Sequence, residues 1–516
     1  MSVTVTHREY DLRVREWRRI ASVLAGRDAI LDAGEEFVPV LSGQNLAQYQ
    51  AYLMRGLWFG ATQRTHKGIV GLVFSQDPQY SVPANIAKFI PDVTNTDVSL
   101  EEFAKDVFSE AIAYNWGGIL VDVPPEEDLV LPSDSRPYLT YYNAYSVRWW
   151  KQERIRGKLQ TTVVILEETD EDPIPGQEYG TILRTNYRVL KLAPMIDERT
   201  GRTALVYRQE EWEEVEDPTD PINKNKEWRL VETIFPKRKG NFLDFIPFTF
   251  TTTEGVQPHI CKSEMLDLAD MNLDHWRLSV DLRHGLHFTA LPTPCASAVP
   301  DGESLRIGSE SAWTSTDPNF KSWYLEFSGQ GIKAIEDAIE RDEHLMSLLG
   351  SRLLETQKRA AETAEAMVIR QASEDSVIMS AARSVEKAIE KSLQSMSWWM
   401  GEEYPKVNVS LTQSLQDLQL TTADMIVIMR SYQSGLISEQ SFLEALIRKQ
   451  YIRGRNWSEE AALPRIDPEL QLVTGTGLQM EEQQKVGKQR AMLDRSTVIT
   501  GDGVTNDRKL QSSTGK

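Results

Sequence analysis

Between residues 136 and 255 the chain stops reading as helix, and that interruption decides its fold class. Six short runs, "PYLTYY", "TTVVILEE", "YRVLKLA", "TALVYRQE", "WRLVETIF" and "FIPFTFTT", are β-branched and aromatic and are parted by Pro, Gly and Asp turns. Such runs are strands. Helical patterns lie on both sides of them. Upstream, residues 8 to about 130 read as helices ending in a strand. In "SLEEFAKDVFSEAIAYNWGGILVDVP" a Ser N-cap precedes acidic residues, the Gly117–Gly118 pair stops the helix, and "ILVDV" is a buried strand before two prolines. Downstream, helices are expected over 262–288, 331–350 and 362–400. The last would run for about 39 residues, or nearly 60 Å at about 1.5 Å each. A strand-like "KVNVSLTQ", helices near 421–433 and 438–450, and a polar tail follow. The expected class is α+β, mainly helical with one β-rich excursion.

At 516 residues a single core is not expected, and two or three structural regions are. Lys plus Arg is 57 against 76 for Asp plus Glu, a net charge of −19. A protein that coats duplex DNA is basic, because neutralised phosphates drive binding. This chain would repel DNA over most of its surface, which still permits a conduit past which DNA slides. Two turns, "EETDEDPIPG" and "EEWEEVEDPTDP", are conspicuously acidic, and neither has the ligand spacing of a calcium loop. Cys261 and Cys295 are the two cysteines, so neither a disulfide framework nor a thiolate zinc site is expected. The charged N-terminus does not read as a signal peptide, and no apolar run reaches 18 residues. The expectation is a soluble intracellular protein without a membrane span.

"DLADMNLDHWRLSVDLRHGLHF", 267–288, sharpens the question of function. On a helical wheel Asp267, Asp270, Asp274 and Asp281 fall within a wedge of roughly 60°. Leu266, Ala269, Leu273, Trp276 and Val280 form one apolar stripe, and Leu268, Met271, Leu278, Leu282 and Leu286 form another nearly opposite. Asn272, Ser279 and Arg283 take the remaining side. Two apolar flanks and two polar faces imply neighbours on two sides and solvent on the other two. Either a ring of subunits or the middle layer of a bundle satisfies that geometry. The ring reading puts Leu273 and Trp276 at a subunit interface.

Asp281, His284 and His287, spaced i, i+3, i+6, carry the alternative reading, a metal-dependent hydrolase. Gly285 separates the two histidines and no further ligand cluster is near, so terminal structural histidines are the favoured reading. Glu336, Glu340 and Glu343 share one side of the following helix and read as a solvated face. There is no G-x-S-x-G, no H-E-x-x-H and no phosphate-binding loop. No catalytic residue, metal or cofactor is assigned, and the chain is not expected to be an enzyme.

The order helix, β-rich excursion, helix, basic loop, very long helix resembles the portal proteins of tailed bacteriophages. The resemblance is carried by "LDLADMNLDHWRLSVDLRHGLHFTALPTP", "RIGSESAW", "WYLEFSGQGI" and "LGSRLLE" followed by "ETAEA". Upstream it is carried by "YLMRGLWFGATQRTHKGIVGLVF", "NWGGILVDVP" and "RPYLTYYNAYSVRWW". It covers about 40–450 and fades in the tail. It implies an N-terminal region and wing over 1–260, a first stem helix over 261–290, a β-containing clip over 291–329 and a second stem helix over 330–350. A tunnel loop over 351–361, a long wing helix and returning strand over 362–420, and a crown and flexible tail over 421–516 would complete the chain. The implied assembly is a homo-oligomeric ring, usually of twelve, at one capsid vertex of the virion, built in the host cytoplasm. Double-stranded DNA would pass through it for packaging and ejection. The implied partners are terminase, the major capsid or scaffold protein and a head-tail adaptor, with no membrane. Asp267, Asp270, Asp274 and Asp281, or Glu336, Glu340 and Glu343, become candidate channel-lining residues that keep DNA from sticking. In "SRLLETQKRAA" the cations Arg352, Lys358 and Arg359, with Gln357 beside them, match the tunnel loop and become candidate DNA contacts.

Overall fold

The computed structural model describes residues 2–124, 136–174, 176–177, 179–196, 203–216, 226–289, 293–297, 318–325, 330–354, 377–403, 405–411, 429–432, 434, 436 and 438–448. The chain divides into two units, Met1–Thr421 and Thr422–Lys516.

The first unit opens with helices. Helix α1 (Arg8–Ala25) starts at His7, whose side chain accepts from the Glu9 amide. Helices α2 (Arg27–Ala33), α3 (Leu46–Arg55), α4 (Ala61–Val73), α5 (Ala84–Ala87) and α6 (Leu100–Tyr114) follow. Both α3 and α6 begin with reciprocal capping boxes, Asn45 with Gln48 and Ser99 with Glu102, which satisfy backbone donors that have no partner inside the helix. The glycine pair expected to stop α6 has another job. Asn115 ends the helix in a left-handed C-cap at φ 54°, and its amide side chain is fully buried, donating to the Lys262 carbonyl and accepting from the Thr253 amide. Gly117 and Gly118 are required by packing instead. A Cβ on Gly118 would lie 2.1 Å from the Phe248 ring, and one on Gly117 2.3 Å from the Tyr141 hydroxyl.

Glu110 on α6 is pushed up to about 7 by burial, with the neighbouring Asp106 charge adding to the effect. Unfolded, the same carboxyl titrates near about 4.3. Between those values the folded chain binds a proton that the unfolded chain does not, so stability falls as pH rises through this window. Glu110→Gln is therefore expected to match the parent near pH 4 and to be more stable near pH 8 by about 3–4 kcal/mol. Urea midpoints at the two pH values would test this, and a difference independent of pH would contradict it.

Strand β2 (Gly118–Asp122) is buried throughout, as its apolar run implies. It sits between β11 (Phe248–Phe250) and β3 (Tyr138–Tyr142) in a three-stranded antiparallel sheet. The larger sheet is a five-stranded antiparallel meander: β4 (Val147–Ile155), β5 (Lys158–Pro173), β6 (Thr181–Ile196), β7 (Thr203–Glu216) and β8 (Lys226–Ile234). Only β4 was not expected. It is joined to β5 through Arg156 and Gly157, both at positive φ, the backbone a two-residue hairpin turn needs. Val147, Trp150, Val164, Leu166, Leu190 and Tyr207 cover a core shared with Trp17, Trp116, Phe248 and Phe250. The strand ends run out into solvent.

Helix α7 (Leu266–Thr289) and helix α8 (Gln330–Leu354) bracket a two-stranded antiparallel ribbon of β12 (Thr293–Ser297) and β13 (Lys321–Leu325). Helix α9 (Val377–Trp399) falls within the span expected to be helical over 362–400 and runs through the main core with Ile378, Val385, Ile389, Leu393 and Met396 buried. The small strands β9 (Lys237–Arg238) and β10 (Asn241–Phe242) pair with each other, and β1 (Gln79–Ser81) pairs with β14 (Asn408–Ser410). Glu390 of α9 accepts the Val409 amide of β14 and Glu386 the Leu411 amide just beyond it, so helix carboxylates occupy backbone donors along this segment. In the second unit, α10 (Glu439–Arg448) stacks Phe442 on Tyr432 at 4.4 Å. The helix expected over 362–376 and the tail beyond 448 lie outside the described residues. No helix among the described residues is long and apolar enough to cross a membrane.

Candidate functional site

The two helices α7 and α8 pack on each other and run antiparallel. His275 Nε2 stands 3.3 Å from Glu343, while Thr62 of α4 bonds Asn272 and Leu268 on one helix and its neighbour Thr65 lies against Gly350 on the other. The aromatic ring of Phe59 lies against His275, which is buried.

Helix α7 is covered by its own chain along the stripe of Leu266, Ala269, Leu273, Trp276 and Val280, whereas Met271, Leu278, Leu282 and Leu286 of the opposite stripe are half-buried. Leu273 and Trp276 are 1% and 0% exposed in the single chain. Trp276 meets Trp58 edge-on, and Gly56 lies so close that a Cβ there would stand 2.6 Å from both the indole and Val280. A side chain so enclosed has no surface left for a second subunit. The interface expectation for Leu273 and Trp276 is therefore corrected: they are core residues. On the remaining side Asn272 and Ser279 are likewise buried rather than solvated, while Arg283 is exposed. Asn272 donates to the Phe59 carbonyl at 2.8 Å and accepts from the Thr62 amide, and Ser279 Oγ accepts from the Leu57 amide at 2.9 Å. These polar side chains satisfy the backbone of the 57–62 segment as it crosses the helix.

The aspartate wedge is open on α7, as are Arg283 and His287. Asp267, Asp274 and Asp281 are exposed and Asp270 is half-buried. Each is already engaged: Asp267 by Lys262, Asp270 by Arg19 at 2.9 Å, Asp274 by Arg277, and Asp281 by the Tyr52 hydroxyl. Burial raises the Asp270 carboxyl from its usual value, against the pull of Arg19. On α8, Glu336 and Glu340 are exposed and Glu343 faces His275. The two sets are thus surface carboxylates on adjacent helices, with the α7 set neutralised in part by its own chain.

The Asp281, His284, His287 combination does not come together as a metal site. Tyr52 holds Asp281, and Arg55 approaches His284 at 3.4 Å. Burial and then the Arg55 charge lower the affinity of His284 for a proton, and the same guanidinium repels a cation. No group of three or more His, Cys, Asp or Glu converges among the described residues. The side chain of Arg352 and all of Gln357, Lys358 and Arg359 lie outside the described residues.

A cluster absent from the sequence reading joins the two sheets. Asp122, at the end of β2, is buried and accepts from Gln209 Nε2 at 2.8 Å and from the Val123 amide at 2.9 Å. Arg188 of β6 reaches Asp122 at 3.5 Å, Glu168 at 2.8 Å and Glu211 at 3.3 Å, and the Tyr142 hydroxyl donates to Glu168. Burial raises the Asp122 carboxyl, with Arg188 opposing it. Burial works against the Arg188 charge too, but Glu168 and Asp122 more than offset that, and the guanidinium is held more firmly protonated than usual.

Residues 264–400 match a family described as a domain of unknown function, DUF4055. The match runs from just before α7 to just after α9, so it frames the paired helices, their ribbon and α9 as one unit. None of the curated proteins matches the chain. Among solved structures, a chain from the neck of an empty GTA particle computed with C6 symmetry is 11% identical, with a TM-score of 0.34 over 79% of this chain and 94% of that one. A chain from the virion of a native gene transfer agent (GTA) particle is 12% identical, with a TM-score of 0.36 over 80% of this chain and 96% of that one.

Proposed function

We propose that the chain is a portal-type subunit, forming a ring at one capsid vertex through which double-stranded DNA is packaged and ejected. The observation that carries the reading is the antiparallel pair α7–α8 with the β12–β13 ribbon at its turn, followed by helix α9. That order is the one on which the sequence resembles the portal family. In this role the chain is structural rather than catalytic, and it acts in the virion with terminase, capsid or scaffold and adaptor proteins as partners. The ring would hold about twelve copies by analogy with that family.

In such a ring the carboxylates of α7 or α8 line the bore and repel phosphate, which keeps DNA mobile. Lys358 and Arg359, with Arg352 and Gln357, supply weak contacts to the backbone without reading bases. Negative-stain microscopy of the purified chain is expected to show rings with a central hole, and compact monomers at all concentrations would sink the reading. Lys358→Glu with Arg359→Glu is expected to leave ring size unchanged and to lower the yield of DNA-filled heads by roughly tenfold or more, as contacts to backbone phosphate are lost. Full heads at normal titre would show the segment to be a mere connector.

A further inference from the structure

The five-stranded sheet is electrically polar along its own strands. At one end, the end of β4 and the start of β5 carry Lys151, Arg154, Arg156 and Lys158 against Glu153, a net charge of +3, all of them exposed. Lys151 pairs with Glu153, and Arg154, Arg156 and Lys158 make no ion pair among the described residues. At the other end lie Asp170, Glu171 and Asp172 of β5, Glu213 and Glu214 of β7 and Glu227 of β8. They outnumber Arg184, Lys226 and Arg229 by six to three, a net charge of −3 among the described side chains. The 16 residues of β5 separate the two ends by about 50 Å. In a chain of net charge −19 the basic end is a local reversal of sign.

Each end also exposes apolar surface. Tyr179, Ile182 and Leu183 at the acidic end are 89%, 59% and 66% exposed. At the basic end Leu159 is 56% exposed, on the lip of a groove of about 730 Å³ whose walls hold Phe245, Trp398 and Lys391 together with the carboxylates of Asp244 and Glu403. The ion pairs along the acidic end stiffen it without neutralising it: Arg184 bridges Asp172 at 3.1 Å and Glu213 at 3.0 Å, and Lys226 meets Glu214 at 2.9 Å.

We propose that the acidic end of this sheet in one copy docks on the basic β4–β5 hairpin end of the same sheet in a second copy. The occupant follows from complementarity, since the two ends of the sheet carry opposite charge and both present exposed apolar side chains, Leu159 at one and Ile182 and Leu183 at the other. Opposite ends of one rigid element cannot meet within a chain, so the contact is head-to-tail. A heterologous contact of this kind closes into a ring when its rotation allows, and its charge pattern sets orientation and partner more than raw affinity. The proposal rests on the ring reading and names the surface that links neighbours, now that Leu273 and Trp276 are assigned to the core.

Charge reversal in two separate variants tests it. One carries Lys151→Glu, Arg154→Glu and Lys158→Glu, with Arg156 kept because its positive φ belongs to the hairpin turn. The other carries Asp170→Lys, Glu171→Lys and Glu227→Lys. Sedimentation velocity at low salt is expected to show wild-type assembly weakening as salt rises, and each variant alone assembling at least about tenfold more weakly. Mixing the two variants is expected to restore association, because the reversed ends complement each other; this also shows that neither is misfolded. If each variant alone forms rings as the wild type does, the proposal fails and the ring reading stands. A wild-type chain that stays monomeric at every salt concentration removes both. Loss of duplex DNA binding by the first variant, with normal assembly of both, would assign the basic end to nucleic acid and overturn the proposal.

Discussion

Trp276→Ala is expected to cost about 3–5 kcal/mol of folding stability, the range for removing a large buried aromatic from a packed core. The indole is completely enclosed, between Trp58 on one side and the backbone of Gly56 on another. Gly56 is fixed at the end of α3, which Tyr52 ties to Asp281, so the wall cannot slide in to fill the space. The residual cavity therefore persists, which is the condition for the upper part of that range. Trp276→Phe keeps much of the ring volume and loses an indole N–H that finds no acceptor among the described residues, so its cost is expected to be well below that of the alanine variant. Chemical denaturation of both variants reads the difference directly. An alanine variant as stable as the parent that fails only to assemble would return this side chain to a subunit interface.

That residue also shows what sequence periodicity reports. The stripe through Leu273, Trp276 and Val280 says that a face is covered, and it is. It does not say by what, because a neighbouring subunit and a neighbouring helix of the same chain impose the same apolar spacing. The covering elements, α3 and the 57–62 segment, stand more than 200 residues away in sequence, and Gly56 would have been their one local sign, a residue small enough for an indole to lie against. Asn272 and Ser279 misled for a related reason. Polar side chains on one side of a helix read as solvent-facing, whereas here they satisfy another segment's backbone. The strands were legible where β-branched residues dominate. They were not in β4, where Lys151, Glu153 and Arg154 break up the apolar alternation that Val147 and Trp150 begin. The acidic segments were legible as composition but read as turns, whereas β5 runs through Pro173 and β7 through Glu216, and the polarity of the sheet emerged only once β5 was seen to join the acidic end to the basic hairpin.

Arg188→Met is the second large effect expected, and it was invisible in the sequence because Asp122 and Glu168 lie 66 and 20 residues away. The substitution keeps an unbranched stem to fill the space and removes only the charge. Asp122, Glu168 and Glu211 would then face one another with no cation between them, in a site where Asp122 is 5% exposed. Breaking a buried ion pair by deleting one partner costs about 3–5 kcal/mol, because the surviving charge is left without solvent or counter-ion. The cost has a pH signature. Burial already raises the Asp122 and Glu211 carboxyls above their unfolded values with Arg188 present, and removing the cation raises them further. A carboxyl with a raised folded-state value destabilises the chain above that value and is relieved as pH falls toward its unfolded value. The deficit of Arg188→Met is therefore expected to be largest near pH 8 and to shrink toward pH 5. Asp122→Asn in the Arg188→Met background is expected to recover part of it, since the amide keeps the Val123 amide as a donor and carries no charge. Melting curves of the single and double variants across that range decide the matter: a deficit that does not change with pH, or no recovery in the double variant, would mean that Arg188 acts through packing and that the sheets are held together by the apolar core alone.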